Sequence, residues 1–142
     1  MKSIDEIEKH LPPKRKVLLH ALRKHNWEVI GVDDSALNWA LDMKWTIQST
    51  LKWSIQSNRE NKGATLILWF FKHDGMHDGV DRVAVTTRDA PQPSTYGGGG
   101  EPELYFDGRR FEVQLQTLIA SLHTYRVSGT LAVTKAKRKG KS

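Results

Sequence analysis

A chain of 142 residues is about the size of one domain, and its 38% apolar and 27% charged residues are ordinary for a globular protein. The absence of cysteine excludes a disulfide framework, a thiolate zinc site and a thiol nucleophile. The net charge of +6 sits at the two ends: residues 1–26 carry seven Lys/Arg against three Asp/Glu, residues 135–142 carry five against none, and residues 27–134 carry ten against thirteen, so the mildly acidic body is no general nucleic-acid surface.

Ser3 and Glu6 have the spacing of a capping box, in which each side chain satisfies a backbone N–H at a helix start. Ile4, Ile7 and Leu11 then form a short apolar stripe. Pro12-Pro13 ends that helix and opens the next, because proline at the first helical position gives up no needed hydrogen bond. Val17, Leu18, Ala21 and Leu22 follow at helical spacing, and Asn26 is a terminator. Trp27 to Val32 reads as a short strand, with a turn at Asp33-Asp34-Ser35.

The stretch from Leu37 to Ile55 carries the clearest pattern in the chain. Leu37, Trp39, Leu41, Met43, Trp45, Ile47, Leu51, Trp53 and Ile55 are apolar, and the residues between them are polar apart from Ala40. Period two places the large side chains on one sheet face. Within it, Lys44–Ser49 is nearly repeated by Lys52–Ser57. Nineteen residues would run roughly 60 Å if straight, against a usual strand length of about 17–20 Å. A bend or turn is therefore expected at Ser49-Thr50.

Ser57 to Gly63 reads as a loop, and Ala64 to Lys72 as a strand whose continuous apolar run predicts burial on both faces. His73 to Gly79 connects it to an alternating strand over Val80 to Thr87. The low-complexity segment Ala90 to Pro102 reads as a mobile loop, and Leu104 to Phe106 as a last short strand. Phe111, Leu115, Leu118, Ile119, Leu122 and Tyr125 predict an amphipathic helix of about four turns.

This order predicts an α+β fold: an antiparallel sheet of about five or six strands, with N-terminal helices and a C-terminal amphipathic helix packed on one face. Residues 1–128 are expected to form a single domain and 129–142 a basic, disordered tail. The pattern is common to many small domains and singles out no family. No apolar core of a signal peptide follows Met1, and the longest apolar run, Leu66 to Phe71, is too short for a membrane span, so a cytoplasmic location is expected and no membrane partner.

Three sets of residues invite a functional reading. Trp39, Trp45 and Trp53 share the face of the long alternating stretch, and with Trp69 they would serve a core, an aromatic pocket or an interface with a protein partner or a second copy. Lys14, Arg15, Lys16, Arg23 and Lys24 on the second helix, with Lys135, Lys137, Arg138, Lys139 and Lys141 in the tail, would neutralise nucleic-acid phosphates or simply be solvated. His73, Asp74, His77 and Asp78 offer nitrogen and oxygen ligands to a metal, although Asp-Gly is equally a tight-turn pair.

No cofactor is implied. The glycine run Gly97–Gly100 lacks the Lys-Ser/Thr ending of a phosphate loop, and no residues align as a catalytic triad, nucleophile elbow or dinucleotide-binding motif. The expectation is a non-enzymatic binding module acting through the Trp-rich face. A nucleic-acid-associated protein is the alternative, and a metal-dependent enzyme using the His/Asp loop a more remote one.

Overall fold

The computed structural model describes residues 4–33, 51–71, 82–90, 93, 100–106 and 109–131. The chain begins with a one-turn helix α1 (Ile4–Ile7), continued as a 3-10 turn over Glu8–His10, and breaks at Pro12 into α2 (Pro13–Lys24). The prolines thus separate two helices, with Pro13 in the first turn of the second. Leu18, Leu19 and Leu22 face the core, while Val17, assigned to that stripe from its spacing, is 39% exposed. Asn26 closes the helix with a φ of +69°, a left-handed conformation that asparagine tolerates better than most residues.

Five strands follow: β1 (Trp27–Asp33), β2 (Leu51–Ser57), β3 (Thr65–Phe71), β4 (Arg82–Thr87) and β5 (Glu103–Tyr105). They pair antiparallel in sequence order, β1-β2-β3-β4-β5. The last helix, α3 (Phe111–Ser128), is 18 residues long, five turns where four were expected, and ends at Gly129 with a φ of +79°. The fold is α+β, as the order of patterns predicts.

One face of the sheet builds the core. Val29, Ile55, Leu66, Leu68, Phe70, Val83, Val85 and Leu104 point inward and meet Leu18, Leu19 and Leu22 of α2 and Phe111, Leu115, Leu118, Ile119 and Leu122 of α3. Each such side chain contributes about 1.5–3 kcal/mol when fully removed from water. A β-bulge between Val29 and Gly31 shifts the alternation of β1, so that Val32 turns inward and Ile30 outward, where it is 48% exposed.

Two burial expectations are exchanged between neighbouring strands. The apolar run of β3 alternates up to Phe70, with Leu66, Leu68 and Phe70 buried and Ile67 and Trp69 half-buried on the second face; burial on both faces is met at its last residue, Phe71. β4, read as alternating, is buried on both faces: Arg82, Ala84 and Thr86 are enclosed although they point away from the helices. The reason lies in their neighbours. Trp69 leans across β4 to bond Thr86, and Arg82 lies against Phe71 and Glu103.

The region Leu37 to Thr50, including the expected bend at Ser49-Thr50, lies outside the described residues, as do Ser3 of the capping box, Val80 and Asp81.

Candidate functional site

The tryptophans divide between the two faces of the sheet. Trp53 is fully enclosed on the core face, 4.5 Å from the Phe70 ring, and Trp27 is equally buried at the start of β1. Trp53 is therefore a core residue rather than a contact residue. Both indole N–H groups lie without an acceptor among the described residues, so their large apolar area is what stabilises them there. Trp39 and Trp45 lie outside the described residues.

Trp69 is different. It sits half-buried on the second face, at the centre of the row Asp33–Lys52–Trp69–Ala84–Glu103 set by the strand register. Its indole N–H donates to the Thr86 hydroxyl at 2.9 Å, and the Thr86 hydroxyl donates to the Thr87 carbonyl at 2.9 Å. The Lys52 ammonium stands 5.0 Å from the ring centroid and 3.9 Å from the Asp33 carboxylate. A cation over the indole face and a fixed hydrogen bond at its edge hold the ring in one orientation. Ile67 lies beside it, and Lys52 and Ser54 supply a partly exposed polar surround.

At the far side of the same face, Arg82 is 2% exposed, its guanidinium 4.3 Å from the Phe71 centroid and its Nε 3.3 Å from Glu103. Tyr105 donates its hydroxyl to Glu103 at 3.1 Å. Burial, then the adjacent Glu103 carboxylate, push the Tyr105 pKa above its ordinary value. This set welds β4 to β5.

Three of the five candidate cations on α2 are committed within the fold. Arg23 forms a fork with Glu8, at 3.1 and 3.2 Å, and approaches Asp5 at 3.8 Å. Arg15 lies over the Phe70 and Phe106 rings at 4.8 and 5.4 Å. Lys14 donates to the Phe106 carbonyl at 2.8 Å and stands 5.2 Å from the Phe111 centroid. These contacts fasten the helix to the core edge, so α2 does not offer five free charges to a phosphate backbone. Lys135, Lys137, Arg138, Lys139 and Lys141 lie outside the described residues.

His73, Asp74, His77 and Asp78 also lie outside the described residues, as do Gly97 to Gly99. Among the described residues, no group of three or more His, Asp or Glu side chains is arranged to hold a metal ion. No described helix is long and apolar enough to cross a membrane.

Arg126 is the residue that the sequence gives least reason to notice. It falls in the last turn of α3, where a basic side chain is ordinarily solvated, yet it is 3% exposed. Its Nε donates to the Ser57 hydroxyl at 3.0 Å, and one terminal nitrogen donates to the carbonyls of His25 and Asn26 at 2.7 and 3.1 Å. The guanidinium covers the Trp27 ring at 4.3 Å. Burial pulls its pKa below the usual arginine value, and the side chain remains a cation. One side chain thereby ties together the end of α2, the start of β1, the end of β2 and α3.

No family model matches the chain, and no curated protein or solved structure is detectably similar to it.

Proposed function

We propose that this is a non-enzymatic interaction module that self-associates through the second face of its sheet, with Trp69 as the anchor. The observation that carries the reading is the fixed, half-buried Trp69 ring, held by Thr86 at its edge and by Lys52 over its face. Tryptophan in a preorganised setting is the commonest kind of interface hot spot, because little side-chain freedom remains to be lost on binding. The partner class follows from charge. Lys52 and Asp33 place opposite signs beside the ring. A two-fold interface joins a patch to its own copy, so a patch bearing both signs next to an aromatic group is self-complementary. Ile30 and Ile67 extend the apolar area on the same side.

Light scattering coupled to size exclusion, run over a dilution series, tests this. The expected result is a concentration-dependent dimer of the 16.2 kDa chain, with Trp69→Ser weakening association by about thirtyfold or more while the far-ultraviolet spectrum is unchanged. Lys52→Asp should weaken it as well, and the double exchange Asp33→Lys with Lys52→Asp should restore it. A monomer at every concentration would overturn the reading.

A further inference from the structure

A second site lies at the end of the sheet, away from Trp69. Where β3 begins and β4 ends, a pocket of about 190 Å³ opens; among the described residues it is lined by Gly63, Thr65, Thr87, Arg88, Asp89 and Tyr125. We propose that it binds a small zwitterion of the α-amino-acid class.

The walls are fixed by the backbone. The Gly63 N–H donates to the Ser57 carbonyl at 3.0 Å, and the φ of +92° at Gly63 is open to glycine without strain. The Ala90 N–H donates to the Thr87 carbonyl at 3.3 Å, closing the turn that carries Arg88 and Asp89. Tyr125 stands in the final turns of α3, where its carbonyl accepts from the Gly129 N–H at 2.7 Å. Thr65 donates its hydroxyl proton to the Gly63 carbonyl at 2.9 Å and so presents its oxygen as an acceptor.

The side-chain charges, in contrast, are uncommitted. Lys52–Asp33, Arg23–Glu8, Arg59–Glu60 and Arg82–Glu103 are all paired within the fold. Among the described residues Arg88 and Asp89 pair neither with each other nor with another group, and the Thr87 and Tyr125 hydroxyls make no hydrogen bond. The residues lining the pocket thus include one exposed, unpaired cation, one exposed, unpaired anion and two hydroxyl-bearing side chains. A simple anion would meet Asp89, and a simple cation would meet Arg88. A ligand carrying both signs matches both, its carboxylate on the guanidinium in a two-point contact and its ammonium on the carboxylate. The volume lies below the roughly 300–1,000 Å³ usual for larger organic ligands, which selects small side chains such as those of glycine, alanine and serine.

Titration of glycine, L-alanine and L-serine into isotope-labelled protein, followed by amide chemical shifts, tests the assignment. Saturable shifts are expected at Thr65, Arg88, Asp89 and Tyr125, weakened about tenfold or more in Arg88→Gln and in Asp89→Asn. Acetate and methylammonium, each carrying one charge, should produce no saturable shift. Both substituted positions are exposed, so the rest of the amide spectrum should stay in place and show that the variants are folded. Absence of saturation with all three amino acids up to on the order of tens of millimolar would overturn the proposal. So would equal binding by acetate, or undiminished binding in the two variants.

Discussion

Arg126 shows how one residue in this chain does more than its type suggests. A buried guanidinium is tolerated when its donors are satisfied, and here the acceptors are a hydroxyl and two carbonyls rather than a carboxylate. Those carbonyls belong to the end of α2, where orphan acceptors need a donor that the helix itself cannot supply. Arg126→Ala takes this donor from both part-buried carbonyls, leaving Asn26 with the Asn58 N–H alone, and uncovers the Trp27 ring. A loss of about 3 kcal/mol is expected in urea denaturation, or about 10 °C in melting temperature for a chain of this size. Arg126→Lys should recover less than half of it, since an ammonium cannot reach three acceptors in the geometry of a planar fork. A loss below about 1 kcal/mol for the alanine variant would show that the carbonyls find water instead.

Among the elements, the junction of α1 and α2 depends on pH through Glu8. Its carboxyl is held below the usual carboxylate range, chiefly by the hydrogen bonds from Arg23. With the folded value lower than the unfolded one, the contribution is complete above the ordinary pKa and is lost as the pH falls through the folded value. Thermal unfolding followed from about pH 6 to about pH 3 should therefore decline less steeply in Glu8→Gln than in the parent chain. Equal slopes would place the acid sensitivity elsewhere.

The elements also show what the chain discloses before folding. Helix α3 was legible because six apolar residues from Phe111 to Tyr125 recur at helical spacing, and five of them are buried in the core. The order of strands was legible from alternation and from turn residues such as those between Ser57 and Gly63. The division of burial between β3 and β4 was not. Continuous hydrophobicity in β3 reflects a tryptophan and an isoleucine on a half-open face, whereas β4 buries Arg82 and Thr86 because partners on neighbouring strands satisfy them. Cross-strand partnership leaves no trace in the spacing of either strand. The same reason hides Arg126, whose acceptors lie about 70 and 100 residues away in the chain.

On the scale of the whole molecule, the sheet separates two uses of the same side chain. Trp53 and Trp69 lie on adjacent antiparallel strands, yet one faces the helices and the other faces away. Trp53→Ala empties a volume bounded by Phe70 and the core leucines, and a loss of about 3–5 kcal/mol is expected. Trp69→Ala removes a half-buried ring, and its loss should come mainly from uncovering Thr86 and Ala84, at about 1–2 kcal/mol. The two variants should also separate in kind: Trp53→Ala should lower stability while leaving association intact in the folded fraction, and Trp69→Ala should weaken association about thirtyfold or more while the protein stays folded. Urea denaturation alongside light scattering measures both quantities on the same samples. If Trp69→Ala proved as destabilising as Trp53→Ala, the second face would be a second core, and self-association would lose its anchor.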